Sequence, residues 1–253
     1  MSLLGVDVPP VSHVTNWGTG PLGFNKTAAI YIFAALATML LYYLGTRRKD
    51  ALVPSGILQN TAESGVAFVR NQVIMQTIGA DGLGYLPYLT ALFFFIFFSN
   101  ITEIIPFVQF PANARFGVPL LFALVTWVIY NVVGVVKQGP LHYLKNSVIP
   151  PGVPKAILPL VMIIELVSTF IVRPFSLAVR LFANMLAGHL ILVTFAVLSA
   201  ALWAAKPTIV IMPFSFALLV AMTGFEILVS FLQAFIFSIL TAVYIGSSMH
   251  PDH

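Results

Sequence analysis

The sequence predicts an all-α integral membrane protein, and three observations carry that reading. Of its 253 residues, 59% are hydrophobic and only 8% are charged, against about 25% charged in an ordinary soluble domain. Five apolar stretches are each long enough to cross the ~30 Å hydrocarbon core as a helix. A guanidinium that cannot lose its proton, Arg180, stands about halfway along the longest of them. A mid-bilayer arginine costs about 2.5–3.5 kcal/mol on insertion scales, so its presence points to transport. The whole chain, 1–253, reads as one membrane domain.

Residues 1–25 hold Pro9, Pro10, Gly18, Gly20, Pro21 and Gly23 and read as an irregular extramembrane segment with no cleavable signal peptide. Residues 27–46 carry no charge and fit one transmembrane helix, with Tyr42 and Tyr43 as interface anchors near its end. Arg47, Arg48 and Lys49 follow at once and assign that end to the cytoplasm or matrix. Over 57–79, Leu58, Ala62, Val66, Val69 and Val73 recur at helical spacing, with Gln59, Glu63, Arg70 and Gln72 elsewhere. That helix is too polar to span and is expected on the cytoplasmic membrane surface.

Residues 87–109 and 118–136 predict a transmembrane hairpin (87–136), joined by a link with Pro106, Pro111, Arg115 and Gly117. Residues 137–155 are expected to form a loop with Lys137, Lys145 and Lys155. The apolar runs 156–204 and 207–246 are then separated only by Lys206-Pro207. As straight helices they would be ~60–70 Å long, about twice the hydrocarbon thickness. Pro174 and Pro213 can kink a helix without reversing it. The expectation is a pair of long, tilted, antiparallel helices. This topology puts Arg47, Arg48, Lys49, Arg70, Lys137, Lys145 and Lys155 inside and only Lys26, Arg115 and Lys206 outside, so the N-terminus lies outside and the C-terminus in the cytoplasm.

Composition excludes several classes. With Cys 0 there is no disulfide, thiolate metal site or thiol nucleophile. His13, His142, His250 and His253 have no metal-ligand spacing, and no basic run is interleaved with aromatics for nucleic acid. No cofactor or metal is expected, and the phosphate-loop pattern of nucleotide enzymes is missing.

The chemistry is concentrated on the two long helices. At about 100° per residue, Arg173, Arg180 and Asn184 share one face, while His189 points to the opposite side. On the second helix Thr223, Glu226, Ser230, Gln233, Thr241 and Tyr244 fall within about 80° of arc. Such a stripe suits a wet passage or a partner helix. About a turn at Lys206-Pro207, His189 and Glu226 lie at nearly equal depth, so a His–Glu pair able to pass protons is geometrically reasonable. Interhelical packing is the plainer reading of Asn184, Gln233 and Ser230, and helix-end contacts are the plainer reading of Glu165 and Arg173.

At these residues the chain resembles subunit a of F-type ATP synthase. RPFSLAVRLFANMLAGHLI, then FLQAFIFSILTAVYI, carry the resemblance, and FFSNITEIIP adds to it. It implies that the long helices pack against a c-ring and that Arg180 faces the ring carboxylates. Gln233 and Asn184 would be its polar neighbours. His189 and Glu226 would be the acid–histidine pair, in the order of mitochondrial members and some bacteria. Asn100 and Glu103 resemble outer access residues, and Glu165 an acid near the cytoplasmic end. Ser230 and Tyr244 would line the same passages. The implied partners are c-ring subunits, the subunit b stator stalk, the rest of the complex, membrane lipid and protons. The chain would then be a non-catalytic channel subunit in a bacterial plasma membrane, or alternatively the mitochondrial inner membrane. A secondary transporter gripping a small anion with Arg180 is the competing class, and it would call for inverted repeats, which the sequence does not show.

Overall fold

The computed structural model describes residues 2–3, 6–7, 26–46, 56–105, 108, 110–149, 153–154, 157–204 and 210–249. Most of the 1–25 segment, the Arg47-Arg48-Lys49 triplet, Lys155 and the Lys206-Pro207 turn lie outside the described residues. Apart from a two-residue antiparallel ladder, β1 (Ser2–Leu3) with β2 (Val6–Asp7), every regular element is helical. Among the described residues, five helices are long and apolar enough to span a membrane.

The first, α1 (Lys26–Thr46), is apolar all round, which suits a helix surrounded by lipid and neighbours. Its Tyr42 is tied inward, its hydroxyl donating to the carbonyl of Pro87 at 2.9 Å. Residues 57–77 form α2, α-helical over Ile57–Phe68, π-helical over Val69–Ile74 and α-helical again over Met75–Thr77. Gly79, at φ 81°, then takes the left-handed conformation that ends it. The sequence expected the apolar stripe of α2 on the membrane surface. Instead Val69, Val73 and Ile74 are 0% exposed, packed with α3 and α7 in the main core. The helix has a polar face, but its apolar face is taken by protein.

A 3-10 turn (Ala80–Tyr85) leads into α3 (Leu86–Ile101), which ends well before the expected residue 109. Ser99 Oγ donates to the Ile96 carbonyl and Thr102 Oγ1 to the Ser99 carbonyl, at 2.9 and 2.8 Å. These local bonds compete with the helix ladder, and Pro106 disfavours helix in the residue before it. After the short 3-10 turn Ala112–Ala114 comes α4 (Gly117–Gln138). Gly139, at φ 81°, closes α4, and Pro140 opens α5 (Pro140–Val148). The sequence predicts a loop here because Gly139 and Pro140 at the start of this nine-residue piece and Pro150 and Pro151 after it read as breakers.

The longest helix, α6, covers residues 158–204. It is α-helical over Leu158–Val167, π-helical over Ser168–Val172 and α-helical over Arg173–Ala204. The last, α7 (Met212–Met249), packs along it. Their apolar spans, Leu158–Trp203 and Met212–Met249, have 46 and 38 residues, and straight lengths of about 69 and 57 Å exceed the hydrocarbon core. Their register is antiparallel and constant. Ser199 and Ser215 meet Oγ to Oγ at 2.9 Å. Eleven residues further in along each helix, Gly188 meets Glu226. The main core lies between α2, α3, the middle of α6 and the second half of α7.

Candidate functional site

Arg180 lies on the first of these long helices with its side chain exposed. Among the described residues it makes no hydrogen bond or ion pair. Ser176 and Ala183, one turn either side on the same face, are small, so the guanidinium stands above a shallow stretch of helix. Asn184, a turn further on, is half-buried. Continuing the α6–α7 register inward sets Arg180 level with Ala234, next to Gln233. Gln233 is buried, and its Nε2 is left without a hydrogen-bond partner.

His189 is on the far side of α6 and is only 5% exposed. Its Nδ1 lies 3.1 Å from Oε1 of Glu103, itself 3% exposed. The sequence pointed to Glu226 as the histidine's partner; the hydrogen bond goes instead to Glu103. The early end of α3 accounts for this, since Glu103 sits in a turn and not on a continuing helix. Glu226 remains at the expected depth and is buried one residue away, its carboxylate lying against the backbone of Gly188. A Cβ at 188 would overlap the Glu226 carboxylate, so any larger residue there would push that group aside. One imidazole and two acids thus occupy a single buried patch.

Asn100, also buried, ties the end of α3 to the turn Ala112–Ala114. Its Oδ1 accepts from Asn113 Nδ2 at 2.6 Å, and Asn113 also donates to Ser99 Oγ and accepts from the Tyr31 hydroxyl. Sequence reasoning missed Asn113, Tyr31 and Gly188. An asparagine inside the proline-bounded link Pro106–Pro111–Gly117 was the available signal for the first.

The remaining expected residues are spread out. Ser230, on α7, is buried. Tyr244 lies far along α7, its ring 5.7 Å from that of Tyr130 and beneath Arg173, whose guanidinium carbon is 5.4 Å from the ring centre. Glu165 is half-buried on α6 and makes no hydrogen bond or ion pair with the described residues. The structure does not bring it to the His189 patch or to Arg180.

Five spanning-length helices among the described residues, with ionisable groups held inside the bundle, define a polytopic membrane protein. Residues 28–246 match the ATP synthase A chain family, and the chain belongs to it. It is similar to the ATP synthase subunit a of Frankia alni, at 45% identity over 238 residues, covering 93% of this chain and 81% of the relative. The same holds for the ATP synthase subunit a of Methylobacterium sp. (strain 4-46), at 40% over 247 residues, 98% of this chain and 96% of the relative. For that of Rhodococcus erythropolis the figures are 39% over 243 residues, 92% and 85%.

Proposed function

We propose that this chain is the stationary subunit that carries protons to and from a rotating c-ring through two offset half-channels. The observation that supports this most is the division of α6 into two faces. Arg180 is exposed and has no partner among the described residues, while His189 is buried with Glu103 on the other side.

An unpaired guanidinium on a membrane helix calls for an anionic partner from another chain, and a c-ring carboxylate is that partner. A proton from the outer side passes Asn100, Glu103, His189 and Glu226 and binds a ring carboxylate. Neutral, the carboxyl group can turn through lipid. Returning toward Arg180 from the other side, it meets the cytoplasmic passage. There the fixed positive charge favours the ionised form, and the proton leaves. Gln233 and Asn184 hold the arginine's surroundings polar, and Ser230 and Tyr244 belong to the walls. Glu165 takes the inner end. The same fixed charge stops protons crossing directly between the passages. Each transferred charge supplies about 2.3 kcal/mol per 100 mV.

On this reading the chain needs no catalytic site of its own. It assembles with c-ring subunits, the subunit b stalk and the rest of the complex, in a bacterial plasma membrane, with its N-terminus outside and its C-terminus in the cytoplasm. Arg180→Ala in membrane vesicles tests it. Loss of ATP-driven proton pumping with retained ATP hydrolysis by the soluble sector is expected. Pumping that survives the substitution sinks the proposal.

A further inference from the structure

We infer that Asn113 and Tyr31 are positioning residues that fix the amide of Asn100 with its N–H groups turned toward the outer proton passage; the inference rests on the passage proposed above. It follows from the direction of each hydrogen bond around Asn113, a side chain that is 0% exposed.

The chain of bonds can be oriented from one end. Ser99 has a single hydroxyl hydrogen, and it is committed to the Ile96 carbonyl at 2.9 Å. Ser99 Oγ can then only accept from Asn113, 3.0 Å away, so the atom facing it is the amide nitrogen Nδ2. Asn113 Oδ1 therefore faces Tyr31, whose hydroxyl must donate, at 2.9 Å. The second hydrogen on Asn113 Nδ2 goes to Asn100 at 2.6 Å, which must present its oxygen there. Asn100 Nδ2 is thereby left pointing away from Asn113, and it makes no hydrogen bond with the described residues. An amide flip at Asn100 would set two donors against each other in a buried site, which is costly.

The lock joins three separate parts of the chain. Tyr31 comes from α1, Ser99 and Asn100 from the end of α3, and Asn113 from the 3-10 turn before α4. The Tyr31 ring is held independently of its hydroxyl, stacked 6.1 Å from Phe95 and edge-on 6.5 Å from Phe122. Asn100 and Glu103 belong to one turn at the end of α3, the Glu103 N–H bonding the Asn100 main-chain carbonyl at 3.1 Å, so the segment that carries the oriented amide also carries the acid paired with His189. An N–H donor fixed there holds a water or a passing hydronium's conjugate water by its oxygen, which keeps that water's own hydrogens directed at the carboxylate.

The test is passive proton conduction through the membrane sector of the intact complex, reconstituted in liposomes and stripped of the soluble sector. Tyr31→Phe and Asn113→Ala are each measured alone and in an Asn100→Ala background. Each single variant is expected to slow conduction about fivefold, the rate equivalent of losing one hydrogen bond. In the Asn100→Ala background neither should slow it further, because both act through Asn100. A merely structural role multiplies the losses in both backgrounds, and that result overturns the inference. If Asn113→Ala does not assemble, Tyr31→Phe, which keeps the ring contacts, decides alone. If Asn100→Ala slows conduction but Tyr31→Phe does not, the inference falls and the proposed passage stands. If Asn100→Ala has no effect, both fall.

Discussion

Tyr130 donates its hydroxyl hydrogen to the main-chain carbonyl of Thr169, 2.8 Å away, where α6 has lost its own donor. Across the π turn the N–H of Arg173 reaches back five residues to Ser168. The next residue, Pro174, has no N–H to give. The Thr169 carbonyl is therefore abandoned by its own helix, in a buried position, and a side chain from α4 replaces the missing bond. The wide turn and the tyrosine are two answers to one proline.

Tyr130→Phe is expected to destabilise the chain by about 1–3 kcal/mol, the cost of a buried acceptor left unpaired. Denaturant titration of the detergent-solubilised protein measures it. Pro174→Ala restores a main-chain donor, so the double variant should recover much of the loss. A Tyr130→Phe protein as stable as the parent refutes this account of the turn.

Such features explain what was readable in the sequence and what was not. The spans were readable because a bilayer demands long apolar runs, and the length of the last two runs was enough to expect two long helices. The opposed faces of Arg180 and His189 follow from 100° per residue, and Arg180 is indeed exposed and His189 buried. Contacts between distant segments leave no periodic trace. His189 and Glu103 are 86 positions apart, and nothing local says that α3 stops early enough to bring them together. The same holds for the apolar face of α2, since a stripe of valines reads alike whether it meets lipid or protein. The π turn lies inside an unbroken apolar run, and only Pro174 hinted at it.

Gly188→Ala probes the crowding beside Glu226. The added methyl would overlap the Glu226 carboxylate, which must swing aside. The group in the way is the far end of a flexible side chain, so the cost in stability should be small. The larger expected effect is on transport, with ATP-driven pumping down about tenfold or more if the displaced group no longer meets the proton path. Glu226→Asp shortens the side chain and should partly restore pumping in the double variant. Pumping quench assays on vesicles give both numbers. Unchanged pumping in Gly188→Ala would mean that the position of this carboxylate does not matter to transport.

The register of the two long helices is the geometric premise behind the site, and it can be checked covalently. Ser199 and Ser215 bring their Oγ atoms to 2.9 Å, and a disulfide needs sulfurs at about 2.05 Å with Cα atoms ~4.4–6.8 Å apart. The chain has no cysteine of its own, so a Ser199→Cys/Ser215→Cys pair has no competing thiol within it. Mild oxidation of membranes should close the bridge in most molecules, seen as a mobility shift on non-reducing gels. Pumping should survive, because these helices belong to one stationary subunit and need not slide past each other. A one-turn slip would carry the two sulfurs about 5.4 Å apart along the axis and prevent the bond. The same slip would lift Glu226 away from Gly188 and Gln233 away from the level of Arg180. Failure to cross-link, with reactive thiols present, would therefore undo the placement of the acid and of the arginine together.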